Sequence, residues 1–91
     1  MSPGPVHPTK DAGEIRAWLI DALARLLDVS ASELDPACSF FDYGLDSSAA
    51  IGVTDLLGQW LGREVDPALL YDYPTIDELS AYVAQDLRRS A

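Results

Sequence analysis

The sequence predicts an all-α fold, a small antiparallel bundle of three main helices plus one short helix. Three observations predict it. Apolar residues recur at helical spacing in three stretches, each stretch opens on a side chain suited to cap a helix, and no alternating apolar–polar run marks a strand. Val29, Val53 and Val65 are scattered. At 91 residues the chain fits one domain. Residues 1–10 read as a flexible tail or linker and residues 11–90 as the helical domain. A domain of this size buries only about 60% of the surface its unfolded chain exposes, which leaves little room for a deep active site.

Residues 1–9 hold Pro3, Gly4, Pro5 and Pro8 and cannot form a regular element. Such a segment suits a join to a neighbouring domain, while Met1 suits an independent start. From Asp11 to Leu27, Ile15, Trp18, Leu19, Ala22, Leu23, Leu26 and Leu27 make one apolar stripe, and Asp11 with Glu14 forms a capping box. Trp18 within that stripe reads as core. Residues 28–43 are a long connection, expected to be anchored by Leu34, Phe40 and Phe41, with Ser30 and Glu33 capping a short turn. A second helix, capped by Asp46 or Ser47, runs to about Leu61, turns Ala50, Val53, Leu57 and Leu61 inward, and stops at Gly62. Asp66-Pro67 opens a short helix that Tyr73-Pro74 ends. Thr75 begins the last helix, with Glu78 completing a capping box, and Ile76, Leu79, Val83 and Leu87 buried. Arg88 and Arg89 suit its negative C-terminal end.

The net charge is −9, from 15 acidic and 6 basic residues. This balance repels nucleic-acid backbones and anionic membranes and favours basic protein patches. Cys38 is the one cysteine, so an internal disulfide is excluded and a cytoplasmic setting is natural. Cys38 reads as a small buried hydrophobe in a loop, because the one histidine, His7, lies in the tail. No signal peptide or membrane span is evident. There is no Ser/His/Asp set, no paired metal ligands and no phosphate-binding glycine loop, so no catalytic or metal residue is assigned and an enzyme is not expected.

The informative stretch is Asp42-Tyr43-Gly44-Leu45-Asp46-Ser47. A serine at a helix start reads either as an N-cap or as a hydroxyl presented for modification. The second reading uses the same physics: a helix N-terminus offers unpaired N–H groups and partial positive charge, which suit a phosphate. Gly44 lets the backbone turn and removes a side chain beside the hydroxyl. Asp46 is placed to help an incoming enzyme position a metal ion or a basic side chain.

The chain resembles an acyl carrier protein of polyketide and fatty-acid synthases. The resemblance rests on Phe40-Phe41-Asp42-Tyr43-Gly44-Leu45-Asp46-Ser47, on Trp60-Leu61-Gly62-Arg63-Glu64-Val65 and on Tyr73-Pro74-Thr75-Ile76-Asp77-Glu78-Leu79, and it spans about residues 11–90. It implies that Ser47 carries 4′-phosphopantetheine, with Gly44, Leu45 and Asp46 forming the surrounding motif. A phosphopantetheinyl transferase would install that arm from coenzyme A with magnesium, and the arm's thiol would hold acyl groups as thioesters. The implied protein is a monomeric carrier that serves an acyl-loading enzyme, a ketosynthase and other synthase domains.

Two departures from the family pattern bear on its partners. Ser48 stands where an apolar residue is common, and the second helix carries only Asp55 as an acid. Docking is therefore expected through Ser48, Ile51, Asp55 and Leu56, by shape and apolar contact more than by charge. That fits a polyketide or mixed polyketide–peptide pathway better than primary fatty-acid synthesis. Ser47-Ser48-Ala49-Ala50 also resembles carriers loaded by fatty acyl-adenylate ligases. The alternatives are a peptidyl carrier domain, against which Asp46 argues, and an unmodified acidic interaction module in which Ser47 is an ordinary cap.

Overall fold

A computed structural model describes residues 10–90, with only the backbone of Ser90. The tail over residues 1–9 lies outside the described residues. Four α-helices form the fold: α1 (Ala12–Leu27), α2 (Ser47–Leu61), α3 (Leu69–Asp72) and α4 (Ile76–Ser90). Two 3-10 turns, Ala31–Glu33 and Phe40–Tyr43, lie between α1 and α2. The β-type pairing among the described residues is one isolated bridge, Ser39 to Thr75.

The capping box of α1 is complete. The Glu14 N–H donates to Asp11 Oδ1 at 2.8 Å, and the Asp11 N–H donates to Glu14 Oε1 at 3.1 Å. The helix ends on Asp28 in the left-handed region (φ 57°), where the Val29 N–H reaches back to the Ala24 carbonyl at 3.0 Å. Ile15, Leu19 and Leu23 are buried as the stripe predicts. Leu26 is not: it is 47% exposed, because it borders an open groove between α1 and α2. Trp18 and Leu27 are half-buried at the edge of the core.

The long connection is pinned by backbone pairing as well as by apolar anchors. The Phe40 N–H donates to the Pro74 carbonyl at 2.7 Å, and the Asp77 N–H to the Pro36 carbonyl at 3.1 Å. Leu34 and Phe40 are buried, while Phe41 is half-buried and stacks on Tyr71. The Tyr43 hydroxyl donates to the Asp35 carbonyl. Cys38 is half-buried rather than buried, with its thiol 3.8 Å from the Asp35 carboxylate. Desolvation and the Asp35 charge push its pKa up, which keeps it a thiol and a poor nucleophile.

Ala50, Val53 and Leu57 of α2 enter the core, with Leu61 half-buried. Thr54 and Ser80 are buried polar residues that bond their own helices. The Thr54 hydroxyl donates to the Ala50 and Ile51 carbonyls, and the Ser80 hydroxyl to the Ile76 carbonyl. Gly58 is buried where the chain folds back over it: a Cβ there would stand 2.6 Å from the Arg63 carbonyl oxygen. Gly62 ends α2 at φ 76°, the conformation glycine adopts without strain.

The short helix starts later than Asp66-Pro67 implies. Those residues form a turn in which the Asp66 carboxylate accepts the Ala68 N–H at 2.9 Å, and α3 proper begins at Leu69. In α4, Thr75 Oγ1 accepts the Glu78 N–H at 3.0 Å. The second half of the expected box differs, because the Glu78 carboxylate accepts the Thr75 hydroxyl at 3.2 Å rather than a backbone N–H. Ile76, Leu79 and Val83 are buried and pack chiefly on α1, and the Arg16–Asp77 ion pair at 2.8 Å joins the same two helices.

Candidate functional site

The second 3-10 turn delivers the chain to the start of α2. Gly44 follows it at φ 88°, in the left-handed region, and its N–H donates to the Phe41 carbonyl at 3.1 Å. A Cβ on Gly44 would meet nothing within 4 Å. The residue is therefore required by backbone conformation, not by clearance beside the hydroxyl. Leu45 is 4% exposed and belongs to the core. It anchors the segment from inside and presents no side-chain surface near Ser47.

Asp46 is extended (φ −99°, ψ −179°) and caps α2, its carboxylate accepting the Ala49 N–H at 2.9 Å. Its carbonyl accepts the Ala50 N–H at 2.9 Å. The cap is thus Asp46, and Ser47 is the first residue of the helix. Ser47 is exposed, and its hydroxyl bonds to none of the described residues. The Ser47 and Ser48 N–H groups also lack an intrahelical partner, as the first N–H groups of any helix do. An exposed hydroxyl beside unpaired N–H groups at the positive end of a fifteen-residue helix fits a phosphate ester.

Along the outer face of α2, Ser48, Gly52, Asp55 and Gln59 form an exposed strip. Ile51 (50% exposed) and Leu56 (52% exposed) flank it on opposite sides. The expected docking residues Ser48, Ile51, Asp55 and Leu56 therefore share one solvent-facing surface with Ser47 at its end. Tyr71 also lies open, 56% exposed, stacked on Phe41 with ring centroids 4.9 Å apart. Sequence reasoning missed Tyr71, whose only signal is its place in a helix too short to bury every apolar side. Among the described residues, no group of three His, Cys, Asp or Glu could hold a metal ion. No helix of the described residues is long and apolar enough to cross a membrane.

Comparison with known proteins agrees with this geometry. The family model described as the phosphopantetheine attachment site matches residues 17–83. The chain is 38% identical over 71 residues to a phenolphthiocerol/phthiocerol polyketide synthase subunit of Mycobacterium tuberculosis. That match covers 78% of this chain and 4% of the synthase polypeptide, so the chain spans a small fraction of that relative. Among solved structures, a free-standing peptidyl carrier protein from Acinetobacter baumannii superposes with TM-score 0.81 at 35% identity, covering 85% of this chain and 96% of that one. Asl1650, an acyl carrier protein from Anabaena sp. PCC 7120 with a variant phosphopantetheinylation-site sequence, gives TM-score 0.79 at 36% identity, covering 92% and 99%. The chain belongs to the phosphopantetheine-attachment-site family, as a carrier protein and not a catalyst.

Proposed function

We propose that Ser47 bears the 4′-phosphopantetheine arm and that this chain, as a carrier domain over residues 11–90, delivers acyl intermediates to partner enzymes of polyketide or mixed polyketide–peptide biosynthesis. When bound, the arm supplies a thiol that holds acyl groups as thioesters. The observation that carries this reading is the division of roles at the start of α2. Asp46 satisfies the helix end, which leaves the Ser47 hydroxyl without a structural task. Gly44 and the buried Leu45 fix the backbone so that this hydroxyl faces solvent, open to a phosphopantetheinyl transferase.

Ser48, Ile51, Asp55 and Leu56 make the docking surface, with apolar flanks and a weakly charged centre. The likeness to a polyketide synthase polypeptide supports a ketosynthase and other synthase domains as partners. The loading enzyme is an acyltransferase or an acyl-adenylate ligase, and the run Ser47-Ser48-Ala49-Ala50 supports the fatty acyl-adenylate ligase as one of the two. A peptidyl carrier role is the second reading, favoured by the superposition on the Acinetobacter baumannii protein. Incubation with coenzyme A, magnesium and a broad-specificity transferase, followed by intact mass, tests the central step: one phosphopantetheine is gained, and Ser47→Ala gains none. A panel of loading enzymes then separates the readings. Transfer of fatty acyl groups supports the ligase-loaded carrier, efficient malonyl loading with no fatty acyl transfer overturns that loading route, and transfer of aminoacyl groups alone favours the peptidyl carrier.

A further inference from the structure

An open groove of about 620 Å³ lies between α1 and α2. Trp18, Ala22 and Leu26 of α1 line one side, and Leu56 and Trp60 of α2 line the other. The Trp60 ring is already covered, by Trp18 with ring centroids 5.3 Å apart and by the Lys10 ammonium at 4.9 Å. Leu26 and Leu56 are not: each stands about half exposed. Two open leucines beside a half-buried indole form an apolar patch of the kind that marks an interaction surface.

Charge selects what can cover this patch. The chain carries a net −9, so two copies repel each other through their acidic faces. The cleft where Asp55, Glu64 and Asp66 meet is such a face, and it would draw a basic partner. The groove differs: its lining charges are Asp21 and Arg25, one of each sign. Their side chains are 63% and 80% exposed and pair at 3.2 Å across one helical turn. An exposed pair of this kind contributes little and leaves both groups free to change partners.

The same stretch of α1 is self-complementary under a two-fold axis. Two copies of α1 laid antiparallel and centred on Ala22 place Trp18 of each opposite Leu26 of the other. The small side chain of Ala22 at the centre lets the helices approach. Asp21 of one copy then lies within about 3 Å, along the helix axis, of the level of Arg25 in the other, and the symmetry makes that pair twice. Contact through one helix and one groove belongs to the small, weak class of interfaces, below about 1,200 Å².

We propose that the groove between α1 and α2 is a weak homodimer interface, in which α1 of a second copy of this chain packs antiparallel on Trp18, Ala22 and Leu26 while Asp21 and Arg25 exchange partners across the axis. Ser47 lies nine residues from Leu56 along α2, about 13 Å at the helical rise, and the inference does not depend on it or on the arm. Sedimentation equilibrium of the full chain up to about 1 mM reads the association. The average mass of the parent should climb toward that of two chains. Asp21→Arg sets arginine against arginine twice and should weaken the dimer at least about tenfold. It does so although exchanging an acid for a base lowers the net charge from −9 to −7 and reduces general repulsion. Arg25→Asp sets aspartate against aspartate and should weaken it likewise. An equimolar mixture of the two variants regains both opposed pairs and should associate as the parent does. Both positions are exposed, and circular dichroism verifies that the variants fold. A parent chain that stays monomeric overturns the proposal and leaves the groove to a different protein. Parent-like association of either variant alone, or a mixture that stays monomeric, overturns it as well.

Discussion

Replacing Asp46 by alanine separates the role of the cap from the role of the serine beside it. The substitution removes the carboxylate that accepts the Ala49 N–H at 2.9 Å and leaves that donor at a half-buried residue. Loss of an Asp cap costs about 1 kcal/mol, and loss of a negative charge at the helix N-terminus adds about 0.3–1 kcal/mol. Asp46 is exposed, so the total should lie near 1–2 kcal/mol. In a domain of this size that lowers the melting temperature by roughly 5–10 °C. Ser47→Ala, by contrast, removes a hydroxyl bonded to none of the described residues and places a stronger helix former in the first turn. Its effect should stay within about 0.5 kcal/mol. Thermal and urea melts followed by circular dichroism measure both. A Ser47→Ala loss equal to or larger than that of Asp46→Ala would show that Ser47 is the cap, and the functional assignment would lose its main support.

Gly58→Ala should destabilise by about 1–3 kcal/mol, because its Cβ would stand 2.6 Å from the Arg63 carbonyl oxygen and the backbone must shift. Gly52→Ala, in open space on the same helix, should instead stabilise by about 0.5–1 kcal/mol, and urea midpoints of the pair compare the two. Phe40→Ala, at a fully buried side chain, should cost about 3–5 kcal/mol and loosen the connection before α2, read as faster amide exchange at Gly44 and Leu45. Desolvation first, then the neighbouring Cys38 and the charges of Asp35 and Asp42, raise the Tyr43 pKa. A phenol raised in the folded chain contributes stability that is present below the unfolded value of about 10 and is lost as pH rises through the folded value. Tyr43→Phe should therefore flatten the fall of the urea midpoint above pH ~10, and an unchanged fall would refute the assignment.

Helices α1, α2 and α4 were legible because apolar spacing and capping side chains pointed the same way. Asp11 with Glu14, and Thr75 with Glu78, mark their helix starts in sequence and in space. The start of α2 was legible only as a choice, since aspartate and serine are both good caps and only the backbone angles at Asp46 decide between them. Leu26 was misplaced because a periodic stripe records which side of a helix is apolar, not how far its neighbours extend to cover it. Thr54, Gly58, Ser80 and Ala84 were missed as core for the opposite reason. They are small or polar, and their burial becomes favourable only when helices approach closely and hydroxyls bond their own turns. The pairing of Phe40 with Pro74 and of Pro36 with Asp77 uses backbone atoms alone and leaves no trace in residue type. Leu45 stood in the motif, yet its contribution comes from inside the fold.

The most direct test of the central claim is site-resolved mass spectrometry after transfer from coenzyme A. Cleavage at Arg25 and Arg63 releases one peptide that contains both Ser47 and Ser48. Fragmentation should place phosphopantetheine on Ser47, with Ser48→Ala still modified and Ser47→Ala unmodified yet folded. Phosphopantetheine on Ser48, or none in a folded sample with an active transferase, would contradict the claim that the first residue of α2 is the attachment point.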